Sequence, residues 1–491
     1  MSDTSSKLAS GAILMLLTRL IVNLLGIISS LILVRILSPE DFGVAAIAMS
    51  IYAFISLFGE FGFNTALIQK NTPVKSDYDA AFTVNFIFGI LASLAMLLAS
   101  ESLSSFFNEP RLEPVFYVLA SLFFINGCKN IKIVDFQINM DFAKELKLQV
   151  LPKFLSFFLT LFLAYQLQSY WALVYGTIFL SLINIVFSYM MIAYKPTFTL
   201  KGSKALFNYS KWLMLNNFFY YINNKSIDLL VGKLISTSAA GIYNISKEMA
   251  TLPSTEIAAP INKASFPAYS KEKNNPEQLR ELFYKTTSMI TIIALPASMG
   301  LFMTADYFVP VVLGEKWLDA IPVVQLLSLF AFFSSISSNN GYVFLAIGKP
   351  KITTFISGIR ILSFFIFLYI FDLTNSVEDP AEALVYTAIA NMIVAYVWLK
   401  YEINISLLKV IYVNFRSTLS TLIMCLVLFV IKQNYEIDVS LVNFLSLVIG
   451  GVFTYSASLI LIWIISGKPN SIEKHVLLAI TKLIGKIRGK V

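Results

Sequence analysis

The strongest constraint in this sequence is a series of long apolar runs, each long enough to cross a lipid bilayer as a helix. Such a helix needs about 20 predominantly apolar residues. Fourteen runs qualify, at about 12–34, 43–68, 80–100, 114–131, 148–166, 171–194, 208–233, 239–262, 286–305, 322–346, 353–371, 383–400, 415–432 and 441–466. The seventh and eighth runs are interrupted by polar residues. The sequence therefore predicts an all-α polytopic membrane protein with 14 transmembrane helices.

The composition agrees with a membrane protein and excludes several other classes. Of the 491 residues, 57% are hydrophobic and only 13% are charged, whereas a soluble domain carries about 25% charged residues. A disordered chain, a nucleic-acid-binding protein and an ordinary soluble enzyme are thereby excluded. Cys128 and Cys425 lie far apart in apolar runs, and His475 is the single histidine. We therefore expect no disulfide framework, no metal site and no other cofactor.

The distribution of charge predicts the orientation in the membrane. With the N-terminus in the cytoplasm, most of the 37 lysines and arginines fall in cytoplasmic loops. Only five fall on the opposite side: Arg35, Arg111, Lys233, Lys316 and Lys432. This asymmetry predicts that both termini are cytoplasmic. The net charge of +8 follows from the topology, and the basic tail 467–491 is expected to lie on the membrane surface near anionic lipids.

The chain contains an internal repeat of six spans. Gly43 and Ile47 recur as Gly241 and Ile245 at an offset of 198, and further short matches follow in the same order at offsets of 207 and 211. An even number of spans preserves orientation, so the two halves are expected to be parallel repeats with a substrate site between them. The predicted organisation is an N-lobe at 1–200, a C-lobe at 201–410, a helix pair at 411–466 and the tail.

Ionisable residues inside predicted spans are the candidate functional residues, because a charge at mid-membrane costs at least about 2.5 kcal/mol and usually faces a cavity or a partner. Four cations could bind an anionic group such as a pyrophosphate: Arg19, Lys225, Lys247 and Arg360. Polar neighbours would line the same cavity: Asn23, Asn64, Asn217, Tyr221 and Asn224. Three acids are candidates for coupling to a proton or sodium gradient: Glu60, Asp228 and Glu248.

A structural interpretation of these charges stays open beside the functional one. Lys225 and Asp228 are three residues apart and can pair on one helix face. Lys247 can be neutralised by Glu248 or by an acid on another helix. The serine- and asparagine-rich segment 334–340 could line a sugar path or serve close helix packing.

Three segments carry motifs of a known family. The first is 31–70, with an R-x-L-x-P-x-x-F-G turn at 35–43 and an acidic and asparagine-containing stretch at 60–69. The others are 137–144 and 241–244. These segments resemble the Wzx-like polysaccharide flippases of the multidrug/oligosaccharidyl-lipid/polysaccharide superfamily, although the arginine usual after the third segment is Lys247 here. The resemblance implies two six-helix MATE-like lobes plus a C-terminal helix pair.

The resemblance also implies a function. Such proteins flip undecaprenyl-pyrophosphate-linked oligosaccharide repeat units from the cytoplasmic to the periplasmic leaflet of the bacterial inner membrane by alternating access. The product would serve O-antigen, capsule or exopolysaccharide biosynthesis. The expected partners are the lipid-linked oligosaccharide and membrane lipids, with a polysaccharide polymerase and chain-length proteins as further candidates. No nucleic acid is expected.

Two alternatives remain at this point. One is a cation-coupled multidrug exporter of the MATE type, although a cavity for cationic drugs should be acidic. The other is a membrane polysaccharide polymerase or ligase, which would need a catalytic extramembrane loop or an interfacial carboxylate pair. Neither feature is visible in the sequence, so we expect a transporter and not an enzyme.

Overall fold

The structure is a computed structural model in which nearly all of the apolar part of the chain is described. The described residues are 2–59, 63–70, 73–201, 217–218, 221–222, 225–435, 438–469 and 473. Within these ranges all regular secondary structure is helical. The predicted all-α class is therefore confirmed.

The chain forms two compact units, Met1–Asn244 and Ile245–Val491. In the first unit the helices are α1 Ser2–Ile36, α2 Pro39–Ser56, α3 Phe63–Gln69, α4 Lys75–Phe107, α5 Leu112–Gly127, α6 Asp135–Ile138, α7 Phe142–Leu167, α8 Trp171–Met191 and α9 at 225–234. The helix α10, Thr237–Pro253, begins in this unit and ends in the second. The compact units divide at residue 244, and the lobes expected at 1–200 and 201–410 stay a prediction.

The second unit continues from α10 through a π-helical turn at Ser254–Ala258. Its helices are α11 Ala259–Lys271, α12 Pro276–Phe308, α13 Ala320–Ser337, α14 Asn340–Ala346, α15 Pro350–Ile370, α16 Asp379–Ile403, α17 Leu407–Asn434 and α18 Leu441–Ile465. A second π-helical turn, Val309–Leu313, ends α12. The interruption between α13 and α14 falls inside the predicted tenth span.

Ten helices of the described chain are long and apolar enough to cross a membrane, and each coincides with one of the predicted apolar runs. They are Leu14–Ile36, Lys75–Phe107, Phe142–Leu167, Trp171–Met191, Pro276–Leu313, Ala320–Ala346, Pro350–Ile370, Asp379–Ile403, Leu407–Asn434 and Leu441–Ile465. An eleventh is obtained if Leu112–Gly127 and Ile131–Ile138, which meet at 63°, form one bent span. A polytopic helical membrane protein is thus established, whereas the count of fourteen stays a prediction.

The remaining three predicted spans differ from the others for identifiable reasons. The second corresponds to α2 and α3, and residues 60–62 between them lie outside the described residues. Half of the seventh also lies outside them. The eighth corresponds to α10, the π turn and α11, which carry charged residues along their length.

Small residues permit the close helix contacts that membrane bundles use. In the first unit, Gly89 of α4 packs on the Phe123 carbonyl of α5, and Gly176 of α8 packs on the Thr160 side chain of α7. Many large apolar side chains are instead exposed, including Leu98 and Tyr369. Lipid tails are as apolar as these side chains, so such exposure carries no hydrophobic cost in a bilayer.

Candidate functional site

The turn at 35–43 is built by a capping box between α1 and α2. Ser38 Oγ accepts a hydrogen bond from Asp41 N at 3.3 Å, and Asp41 Oδ2 accepts from Ser38 N at 3.0 Å. Pro39 occupies the first turn of α2, where its missing N–H leaves no bond unmade. The other carboxylate oxygen of Asp41 accepts from Tyr170 N at 2.9 Å. The S-P-E-D sequence therefore fixes this turn and ties it to the start of α8.

The turn at 35–43 crosses its repeat equivalent at two glycines. A Cβ atom on Gly43 would overlap the carbonyl oxygen of Thr237, and one on Gly241 would overlap the carbonyl oxygen of Pro39. Pro39 and Thr237 are related by the same offset of 198 as the two glycines. The contact is therefore reciprocal, because the first turn of α2 packs on the glycine of α10 and the first turn of α10 packs on the glycine of α2. We call it the glycine crossing.

A charged cluster, the Glu109 cluster, surrounds the glycine crossing. Glu109 accepts hydrogen bonds from Arg111 Nε at 2.7 Å and from Arg111 Nη2 at 2.8 Å. It also accepts from Thr237 Oγ1 at 2.9 Å, and Arg111 Nη1 donates to Glu40 at 3.2 Å. Lys233 Nζ donates to the carbonyl of Phe106. The bonds from Arg111, supported by Thr237, lower the pKa of Glu109 despite its burial.

The candidate cations of the first unit differ in surroundings. Arg19 is half-buried on α1, one helical turn from half-buried Asn23. Lys225 is 47% exposed, with its ammonium 3.6 Å from a carboxylate oxygen of Asp228, which is 1% exposed. The same oxygen of Asp228 accepts from the side chain of Asn244 at 3.3 Å. The pairing of Lys225 with Asp228 that the spacing allows is therefore present.

The polar candidates of the first unit are dispersed. Tyr221 is buried and donates its hydroxyl to the carbonyl of Ser50 at 3.0 Å, so it ties its segment to α2. Asn217 is half-buried, and Asn64 on α3 is exposed. Glu60 and Asn224 lie outside the described residues, as does His475.

The candidates of the second unit lie on two helices. Lys247 and Glu248 are half-buried on α10, about two turns before the π-helical turn. Thr251 Oγ1 donates to the carbonyl of Lys247 at 2.7 Å. Single π turns occur often at functional sites. Arg360 is half-buried on α15. That the four cations line one cavity stays a prediction.

The asparagine-rich segment of the tenth span packs helices together at the break between α13 and α14. Asn339 is fully buried; its amide donates to Tyr269 OH at 2.7 Å and to Thr287 Oγ1 at 3.4 Å. The amide of Asn262 donates to the carbonyl of Ser338 at 3.3 Å. These contacts favour the structural interpretation for this part of the segment, because each amide donates its hydrogen bonds to a group on a neighbouring helix.

An apolar cleft of about 640 Å³ lies between α12, α17 and α18. Its lining includes Pro296, Gly300, Met424, Gly451 and Tyr455. The sequence did not reveal it, because apolar residues that line a cleft and apolar residues that face lipid look alike in a hydropathy pattern. Glycines within the apolar runs were the one available sign of the cleft, because a glycine leaves open the space that a larger side chain would fill.

A family model described as "Polysaccharide biosynthesis protein" matches residues 32–322, about three fifths of the chain. The chain belongs to this family. The resemblance drawn from the sequence motifs is thereby confirmed.

Relatives and solved structures agree with this membership. Lipopolysaccharide biosynthesis protein WzxC of Escherichia coli (strain K12) is 26% identical over 355 residues, which cover 71% of each chain. The structure of lipid II flippase MurJ in an inward closed conformation aligns with a TM-score of 0.75 at 15% identity, over 93% of this chain and 99% of that one. An inward-facing multidrug MATE transporter aligns with a TM-score of 0.60 at 16% identity, over 77% and 94%. At these identities the two structures show a shared fold, which the sequence predicted as MATE-like.

The family match has a clear relation to the geometry of this polysaccharide biosynthesis protein. It includes the glycine crossing, the Glu109 cluster and the Lys225–Asp228 pair. It excludes Arg19, Arg360 and the helices α17 and α18 that contribute two sides of the apolar cleft. The matched part therefore contains the packing of the turn at 35–43 on its repeat equivalent, whereas α15 to α18 lie beyond it.

Proposed function

We propose that this protein moves a lipid-linked oligosaccharide from the cytoplasmic to the periplasmic leaflet of a bacterial inner membrane. The apolar cleft is the observation that carries the proposal. A cargo with a long hydrocarbon tail needs an apolar surface that is continuous with lipid while its sugars pass through the protein. The cleft supplies such a surface along three membrane helices, and membership of a polysaccharide biosynthesis family supplies the class of cargo.

The proposed architecture has 14 transmembrane helices, arranged as two six-helix lobes and the C-terminal pair α17–α18, with both termini in the cytoplasm. Arg19, Lys225, Lys247 and Arg360 neutralise the pyrophosphate, with Asn23, Asn64, Asn217, Tyr221 and Asn224 around it. Two lobes of parallel orientation can then rock around the bound head group. The 47% exposure of Lys225 leaves its ammonium accessible beside Asp228.

Transport against a gradient needs a source of free energy. We propose Glu60, Asp228 and Glu248 as the candidates for coupling to a proton or sodium gradient. No covalent chemistry on the substrate is part of the proposal, so the protein acts as a transporter and not as an enzyme. A polymerase and chain-length proteins would act on the exported units.

The test uses a strain in which the chromosomal copy is replaced by variants. Arg19→Ala should abolish surface polysaccharide, because the pyrophosphate would then lose its hydration in the protein without gaining a positive charge to offset that cost. Arg19→Lys should retain part of the export, since it keeps the charge but not the bidentate geometry. Lys351→Ala, which removes an exposed cation at the start of α15, is the matched control and should export normally.

Two outcomes would contradict the proposal. Normal surface polysaccharide in Arg19→Ala, with the protein present in the membrane, would remove Arg19 from the transport site. Normal polysaccharide in the deletion strain, together with greater sensitivity to cationic drugs, would favour a multidrug exporter instead.

A further inference from the structure

A cavity of about 710 Å³ lies in the second unit, where α11 ends and where α12 and α17 begin. Its charged lining consists of Lys271, Glu272, Glu281, Lys285, Lys409 and Arg416. Pro469, beyond the end of α18, closes one side. We call this cavity the basic recess. It contains none of the candidate transport residues and shares no lining residue with the apolar cleft.

The basic recess lies at the level where two membrane helices change from polar to apolar. In α12, Lys285 is followed by 286–305 without a charged residue, and in α17, Arg416 is followed by 417–431 without one. Tyr284 and Tyr412 line the recess at the same level. Tyrosines are enriched where a membrane protein meets the lipid head groups. The recess therefore opens at the head-group level of a bilayer.

The charges of the recess leave two lysine side chains without an acidic partner. Lys409 pairs with Glu281, and Arg416 pairs with Glu473 at 2.6 Å, with both members of the latter pair buried. Lys271 and Lys285 make no ion pair with any part of the chain that the structure describes, and Glu272 is the remaining acid in the lining. Four cations thus face three acids when Glu473 is included. The excess is one positive charge, which matches a monoanionic phosphodiester.

An exposed apolar stripe continues from the basic recess along α17. Phe415, Leu422 and Leu426 are exposed by 52%, 57% and 64%. They follow one another at steps of seven and four residues, so they share one helix face that runs from the recess toward the membrane interior. That face is next to Tyr412 and Arg416, which line the recess. A ligand with an anionic head and hydrocarbon chains would satisfy the recess and the stripe together.

We propose that the basic recess binds the phosphodiester head group of an anionic membrane lipid, with its acyl chains along Phe415, Leu422 and Leu426. Lys271 and Lys285 supply the uncompensated charge, while Lys409 and Arg416 are held in place by Glu281 and Glu473. Basic pockets between membrane helices on the cytoplasmic side are suited to anionic lipid head groups. The bound lipid would brace the ends of α11, α12 and α17.

The experiment measures retained lipid on the purified full-length chain. Native mass spectrometry after incubation with phosphatidylglycerol gives the affinity, and phosphatidylcholine serves as the zwitterionic probe. The double variant Lys271→Gln/Lys285→Gln should bind phosphatidylglycerol about 10- to 30-fold more weakly, since each lysine near an anionic surface contributes about 1 kcal/mol. The matched control is Lys273→Gln/Lys351→Gln, which removes two exposed cations outside the recess lining and should bind as the native chain does.

Three results would overturn the proposal. Equal weakening in the control variant would mean a diffuse attraction to the whole basic surface. Displacement of phosphatidylglycerol by millimolar inorganic phosphate would mean a site for the free anion. Unchanged lipid binding by a double variant that elutes and melts like the native chain would remove the recess from lipid binding altogether.

Discussion

The glycine crossing allows a sharp test of the packing in the first unit. A methyl group added at Gly241 would overlap the Pro39 carbonyl oxygen and the Gly43 amide nitrogen, and one added at Gly43 would overlap the Thr237 carbonyl oxygen. Overpacking typically costs about 1–3 kcal/mol. Because the overlapped atoms belong to backbone and not to flexible side chains, we expect about 3 kcal/mol for Gly43→Ala and for Gly241→Ala.

Matched controls exist in the same chain. A Cβ atom at Gly26 or Gly450 would meet nothing within 4 Å, and alanine is favoured over glycine inside a helix by up to about 1 kcal/mol. Gly26→Ala and Gly450→Ala should therefore be neutral or slightly stabilising. Between the two classes of variant, the difference in melting temperature should be about 6–12 °C, since 1 kcal/mol shifts a unit of this size by about 2–4 °C.

The assay is thermal unfolding of the detergent-purified protein, followed by the elution of folded material after heating. The double variant Gly43→Ala/Gly241→Ala should cost less than the two single losses added together, because one separation of the turns relieves both overlaps. If Gly43→Ala and Gly241→Ala melt together with Gly26→Ala, the turns are not in contact, and the reasoning is refuted.

Two further predictions follow from buried carboxylates in the first unit. The hydrogen bonds from Arg111 lower the pKa of Glu109. The contribution of Glu109 to stability is therefore complete above the ordinary carboxylate pKa and is lost as the pH falls through the lowered value. Between pH 7 and pH 3, the melting temperature should fall less steeply with decreasing pH in Glu109→Gln than in the native chain, and parallel curves would contradict this. Asp79 accepts hydrogen bonds from Tyr194 OH at 2.8 Å, Thr197 N at 3.2 Å and Thr197 Oγ1 at 2.5 Å. Asp79→Ala should therefore release 194–199 and speed tryptic cleavage after Lys201, which follows this segment, at least about tenfold. Glu101→Ala removes an exposed acid of the same helix and should be cleaved at the native rate; equal rates in both variants would show that Asp79 does not hold the segment.

Much of the fold could be predicted because hydropathy reports directly on membrane helices. All ten membrane-capable helices coincide with predicted runs. Among the other four runs, the fourth is bent, the second and seventh contain residues outside the described part of the chain, and the eighth is interrupted by polar residues such as Lys247 and Glu248 in α10. Polar residues that face the inside of a helical bundle lower the mean hydropathy of their helix without removing it from the membrane. Whether they face the inside depends on the neighbouring helices, which a hydropathy pattern does not show.

The site was predictable only where its determinants are local. The spacing of Lys225 and Asp228 allows their contact, which the structure contains. The capping box of Ser38 and Asp41 is equally local, because both partners lie within one turn of the chain. The repeat offset made Gly43 and Gly241 equivalent but did not indicate that they touch. The amide of Asn339 could have faced a cavity as readily as a helix, and only the position of Tyr269 decides between the two.

The central claim is most directly tested by the leaflet in which lipid-linked repeat units reside. In cells lacking this protein, a membrane-impermeant sugar-modifying probe added to spheroplasts should fail to label the repeat units, and the same probe should label them in inside-out vesicles. Restoring the native chain should make them accessible in spheroplasts. Repeat units that are fully accessible in spheroplasts without this protein would contradict the account.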